Sequence, residues 1–205
     1  MADPKFETKK YTLGSGHLHI EPFVEGELPE SFDDFFASET NLLGRIKGGA
    51  EIAYSTEKYE DEDDLGYVKI SKITKENVTL TSGVMTWNGE TLKTLCSTAR
   101  VTEDPTTGKV TVKIGGLANQ NDTRYIIGFE HVSKKLRVII VGHNTEGFTF
   151  DFKQDSATVI DTVFTAEPSD NEGTLIILED FRYEKGTENA QAAKATRNTN
   201  KDSLL

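Results

Sequence analysis

Thr158-Val159-Ile160-Asp161-Thr162-Val163-Phe164-Thr165-Ala166 and Gly173-Thr174-Leu175-Ile176-Ile177-Leu178-Glu179-Asp180 flank the break Glu167-Pro168-Ser169-Asp170-Asn171-Glu172. β-Branched and aromatic residues fill the two runs, while Pro, Ser, Asp and Asn fill the break, so local backbone chemistry and side-chain packing agree on two strands joined as a hairpin-like unit. The neighbouring sequence repeats this grammar. Tyr125 to His131, Leu136 to Gly142 and Phe148 to Phe152 read as strands of an antiparallel meander, with turns at Val132-Ser133-Lys134-Lys135 and Asn144-Thr145-Glu146-Gly147. Val78 to Trp87 reads as a further strand interrupted at Gly83, and Val110-Thr111-Val112-Lys113-Ile114 as a half-buried one after the turn Asp104-Pro105-Thr106-Thr107-Gly108.

Helical signals are few. Asn88 is placed as the N-cap of a short helix over about 89–99, because Leu92, Leu95, Cys96 and Ala99 recur at the spacing of one buried face. Phe32, Phe35 and Phe36 also sit at helical spacing, but the acids around them and Pro29 favour a short helical turn or ordered loop anchored by the aromatic rings. A short hairpin is expected at Lys10-Tyr11-Thr12-Leu13 and His17-Leu18-His19-Ile20, around Gly14-Ser15-Gly16.

From Ile46 the chain reads as an extended strand with Gly48-Gly49 at a bulge or close backbone approach. It runs into Glu57-Lys58-Tyr59-Glu60-Asp61-Glu62-Asp63-Asp64, which cannot bury itself and is expected as a solvated loop. Extended residues on both sides, with Tyr67-Val68-Lys69-Ile70 following, make this stretch the tip of a long arm over about 55–67. Residues 1–181 are therefore expected as one mainly-β domain of antiparallel sheet with one flanking helix, and 182–205 as a polar, mobile or weakly helical tail.

Charge and composition exclude several functions. There are 34 acidic against 23 basic residues, a net charge of −11, so tight binding to a phosphate backbone is disfavoured. The longest apolar runs, such as Val138-Ile139-Ile140-Val141, are too short to span a bilayer, and Met1-Ala2-Asp3-Pro4-Lys5 lacks the core of a secretion signal. The expectation is a soluble protein made in a cytoplasm. One cysteine, Cys96, allows no internal disulfide, and its place on the apolar helix face marks it as core rather than nucleophile. His17 and His19 share a strand face without a third metal ligand at a recognisable spacing. His131, at a strand end, and His143, at a turn, neighbour no nucleophile motif. The acidic run lacks the spacing of a calcium loop. No cofactor and no catalytic constellation is expected.

The order of three groups of phrases resembles the major tail protein, or tail tube protein, of long-tailed siphovirus-type bacteriophages of Gram-positive bacteria. The phrases are Leu43-Gly44-Arg45-Ile46-Lys47-Gly48-Gly49-Ala50-Glu51-Ile52, then Gly83-Val84-Met85-Thr86-Trp87-Asn88-Gly89-Glu90-Thr91-Leu92 with Cys96-Ser97-Thr98-Ala99-Arg100-Val101, then Val159-Ile160-Asp161 with Gly173-Thr174-Leu175-Ile176-Ile177. The resemblance implies an antiparallel β-sandwich with one flanking helix and a non-enzymatic virion protein, made in the host bacterial cytoplasm, whose copies form stacked, hexameric rings and a tube for DNA passage. Its implied partners are itself and other tail proteins (tape measure, tail terminator, baseplate or distal tail protein), with DNA passing transiently and without tight binding. The arm then resembles the family's loop that reaches a neighbouring subunit, which assigns Tyr54, Tyr59, Glu60, Asp61, Glu62, Asp63 and Asp64 to an inter-subunit interface. Two other readings stay open: the inner tube of a contractile tail or phage-derived injection device, and a carbohydrate- or surface-binding sandwich using Trp87 and Tyr54 as stacking residues.

Overall fold

The segment Leu42 to Glu62 shapes the whole sheet. In the computed structural model, which describes residues 12–24, 28–29 and 31–183, this segment forms β2 (Leu42–Gly44) and β3 (Ile46–Glu62), parted only by Arg45. The other strands are β1 (Gly16–Pro22), β4 (Lys69–Val84), β5 (Arg100–Glu103), β6 (Val110–Lys113), β7 (Tyr125–His131), β8 (Leu136–Asn144), β9 (Ile160–Glu167) and β10 (Ile177–Asp180). The helices are short: α1 (Asp33–Ala37) and α2 (Gly89–Leu95). The protein is mainly β, and an eight-stranded sheet runs β2-β1-β7-β8-β9-β4-β3, with β10 on β8.

Chain contacts divide the protein into a unit spanning Gly14–Glu179, which carries the sheet, and a unit made of the two chain ends. Of the latter, Thr12, Leu13, Asp180 and the 3₁₀ turn Phe181–Tyr183 are described, with Arg182 paired to Asp180 at 2.6 Å and hydrogen-bonded to Thr12. The expected tail beyond residue 183, and Lys10-Tyr11 of the expected first hairpin, lie outside the described residues. Thr12 and Leu13 are not in a strand, and β1 pairs instead with β2 and β7.

Because β2 pairs with β1 at one border of the sheet and β3 with β4 at the other, one nearly continuous strand ties both borders together and bends the sheet around a core. The Arg45 carbonyl accepts from the Met85 amide (2.7 Å), and the Arg45 amide donates to Thr86 Oγ1 (2.7 Å), which latches the seam. Gly44 is needed there, since a Cβ would collide with the Thr86 carbonyl oxygen. The bent sheet encloses Leu18, Leu43, Val78, Leu80, Val84, Ile127, Phe129, Ile140, Ile160 and Phe164, closed over by Leu92 and Leu95 of α2. A continuous sheet thereby supplies both layers that a sandwich needs.

The opposite sheet face is covered by α1. Phe32, Phe35 and Phe36 pack on Ile126, Ile139 and Val141, as the aromatic spacing predicted. Gly128 makes this possible, because a Cβ there would lie 2.5 Å from the Phe35 ring and 2.7 Å from that of Phe36. Half-buried Arg137 fastens the helix electrostatically: it bonds Glu130 at 3.1 Å and Asp33 at 2.6 Å, and its guanidinium lies 4.8 Å from the Phe36 ring centroid. Burial would lower the Arg137 pKa, but hydrogen bonds to Asp33 and Glu130 outweigh it and raise the value.

Several local expectations are corrected. The two strands of the opening stretch begin later, at Ile160 and Ile177, and do not pair with each other. β8 gives its Arg137–Gly142 register on one side to β7, so β9 and β10 both attach along its other edge. Phe148 to Phe152 is not a strand. Its rings form an aromatic row in which Phe150 meets Trp87 (4.9 Å), Phe148 (5.1 Å) and Phe152 (5.6 Å). β4 runs unbroken through Gly83, where a side chain would press on Val159 and the Lys47 carbonyl; the bulge lies at Gly48-Gly49, with φ of 89° and 85°.

Asn88 does cap α2, accepting from the Thr91 amide (2.9 Å) while Thr91 Oγ1 accepts from the Asn88 amide (3.3 Å). The helix stops at Leu95. Cys96 is its half-buried C-cap rather than core, and Ala99 is buried beyond the helix. His143 lies within β8, not in a turn, and pairs with Glu167 at 2.8 Å.

Candidate assembly interface

The acidic run predicted as a loop is strand. β3 continues through Glu57 to Glu62 and pairs with β4 from Tyr54↔Val78 out to Glu62↔Lys69, the register shifting once at Thr74, between Glu57↔Lys75 and Lys58↔Ile73. β9 accompanies β4 no further than Thr79, so beyond that point β3 and β4 form a free two-stranded ribbon. Nine residue steps from Val78 to Lys69, at roughly 3.3 Å each, give an arm of about 30 Å. The sequence error has a clear cause: charged residues have low strand propensity, but a ribbon exposed on both faces has no apolar face to bury, and backbone pairing alone sets the local structure.

Within the arm, charges face each other across the strands. Lys75 pairs with Glu57 at 3.0 Å and Lys69 with Glu60 at 3.7 Å, while Ser71 donates to Glu60 (3.2 Å). The Tyr59 hydroxyl donates to Asp61 (2.9 Å). Tyr54, at the base, donates to Glu76 at 2.5 Å, and that bond to a carboxylate raises the phenol pKa. Asp63 builds the tip: its carboxylate accepts from the Val68 amide (2.7 Å), and its carbonyl accepts from Gly66, whose φ is 71°. Asp64 lies in the same exposed turn. The ribbon therefore carries residues 60–64 at its outer end and Tyr54 at its root, with Tyr59 five strand residues, about 17 Å, and Glu62 eight, about 26 Å, from Tyr54.

Sequence reasoning singled out the acids and tyrosines but not the apolar residues beside them. Leu65, Tyr67, Val68, Ile70 and Ile73 are 74%, 83%, 59%, 54% and 49% exposed. Their signal was the apolar character of Tyr67-Val68-Lys69-Ile70 in a stretch with no core to join. Exposed apolar side chains are thus concentrated on the arm instead of scattered singly over the surface.

The other sequence candidates do not converge. His19 is buried against the Phe35 and Phe36 rings, with its Nδ1 unbonded, and desolvation by burial lowers its pKa. His17 contacts Arg45 (3.3 Å) and His131 contacts Ser133 (2.8 Å). Among the described residues, no group of three or more His, Cys, Asp or Glu side chains is placed to hold a metal ion, and no helix is long and apolar enough to cross a membrane. Trp87, exposed, borders a cavity of about 540 Å³ with Glu21, Glu39, Thr40, Asn88 and Tyr125.

No family model matches the chain, and no curated protein matches it. Solved structures are similar to it, two of them over 88% of the chain. One is the tube-terminating cap of the anti-feeding prophage, 11% identical over 88% of this chain and 99% of that one, with a TM-score of 0.44. The other is the sheath–tube complex of an extracellular contractile injection system, PVC, in its extended state, 11% identical with the same coverage and a TM-score of 0.42.

Proposed function

We propose that this chain is a structural, non-enzymatic protein that self-assembles into the tube of a phage-type tail, its arm binding a neighbouring copy. The single observation that carries this reading is the β3–β4 arm, which reaches about 30 Å past the core and holds exposed apolar side chains that contribute to neither core cluster. An isolated two-stranded ribbon is marginal in water, so such an arm is best accounted for by a surface that receives it.

The sheet border supports the same reading. β3 has β4 on one side and no strand on the other among the described residues, leaving a long row of backbone groups able to pair with another copy. Ring closure by repeated head-to-tail contacts would satisfy that border, and six copies per ring is the number the sequence resemblance implies.

The uncovered face of β9, β4 and β3 fits the channel wall. It presents Thr79, Thr81, Thr165 and Val163 with Glu51 and Asp161, small or acidic groups that would repel a passing phosphate backbone at close range. The partners in this reading are copies of the chain and the other tail components, and its place is the assembled particle. Electron microscopy of concentrated protein, fresh and aged, is expected to show rings or tubes. A protein that stays monomeric by sedimentation at every concentration overturns the reading.

A further inference from the structure

We propose that the acidic end of the arm docks, in a second copy of the chain, on the basic pocket at the opposite end of β3. This rests on the assembly reading above and names the surface that receives the arm. The pocket encloses about 260 Å³ and is lined by Ser15, Gly16, His17, Arg45, Ile46 and Val132. Arg45 lies 3.3 Å from His17, and its guanidinium has no carboxylate partner among the described residues. The carboxylate opposite His17 on β7, Glu130, is buried and engaged by Arg137 at 3.1 Å. Val132 opens the turn that carries Lys134 and Lys135, both exposed.

A chain with net charge −11 thus places Arg45 and the turn with Lys134 and Lys135 around one pocket, and among the described residues none of these three cations is in an ion pair with a carboxylate. The arm end is its complement. It carries Glu60, Asp61, Glu62, Asp63 and Asp64 against two lysines, Lys69 and Lys72, and sets Leu65, Tyr67 and Val68 beside them to meet Val132 and Ile46. Complementary charge around an apolar centre is the arrangement that fixes partner and register in protein interfaces.

Within one chain the two surfaces cannot meet. Arg45 precedes the first residue of β3 and Glu62 is its last, and a strand of that length separates them by on the order of 50 Å. An acidic end and a basic end on opposite ends of one strand make a heterologous contact that repeats from copy to copy, which is the requirement for linear growth.

The test uses two charge-reversed proteins, Arg45→Glu with Lys134→Glu, and Glu62→Lys with Asp64→Lys. Each alone is expected to associate at least about ten-fold more weakly than wild type by sedimentation, and their mixture to recover assembly, because each then offers the other a matched pair. Independently, Asp64→Cys and Val132→Cys proteins, both in a Cys96→Ser background, are expected to form a disulfide-linked heterodimer when mixed at assembling concentrations. This readout does not depend on the reversed variants folding. If wild type assembles while the reversals change nothing, or while the cysteines never link, the receiving surface is wrong and the assembly reading stands. A wild-type protein that never associates overturns both.

Discussion

Replacing residues 58–74 by an Asn-Gly turn that joins Glu57 directly to Lys75, its cross-strand partner, removes the arm while keeping the sheet intact. The expected cost in stability follows from what those residues touch. None belongs to either core cluster, and every residue from Lys69 to Glu76 is exposed. The ion pair lost, Lys69 with Glu60, is more than half exposed on both sides, where such pairs contribute about 0–1 kcal/mol. The ribbon's own backbone pairing is close to neutral in water. Together these place the loss of stability within about 1 kcal/mol, or a fall in Tm of roughly 2–4 °C for a domain of this size. Circular dichroism melts of wild type and variant measure this, and sedimentation of the same samples is expected to show assembly abolished. A loss of more than about 3 kcal/mol would refute the reasoning, since only core or latch contacts yield so much.

Other substitutions probe the core and the α1 cover. Gly128→Ala puts a Cβ 2.5 Å from the Phe35 ring, and the overpacking is expected to cost about 1–3 kcal/mol in urea unfolding; an unchanged midpoint would show that α1 does not press on β7. Leu95→Asp buries a charge at a 2% exposed position, and soluble protein with a wild-type melt would contradict the packing of α2. His19 binds its proton more weakly in the fold than in the unfolded chain, so stability is full above its ordinary value of 6.5 and is lost as pH falls through the lower folded value. Urea midpoints between pH 7.5 and 5 are expected to fall more steeply for wild type than for His19→Gln; parallel slopes would remove the effect.

Much of the fold was legible in the sequence because short-range rules governed it. Asn88 with Thr91 is a local capping arrangement, the Phe32, Phe35 and Phe36 spacing is a local periodicity, and Gly48-Gly49 states its backbone demand directly. The candidate interface was legible only as a position. The run 57–64 announced an exposed projection, yet whether it was loop or strand depended on Lys69 to Lys75 lying opposite it, and no local propensity contains that pairing.

The amino-acid sequence by itself determined a mainly-β chain with two short helical pieces and an acidic arm that has no apolar face to bury, since propensity, periodicity and charge act over a few residues. The tertiary structure alone decided which strands pair. It put β9 and β10 on one edge of β8 instead of on each other, joined the sheet's two borders through Arg45, and separated the acidic arm end from the basic pocket by the length of β3. Strand partners are chosen by the closing of a common core over long sequence separations, where many registers have similar local energies and only the assembled packing distinguishes them.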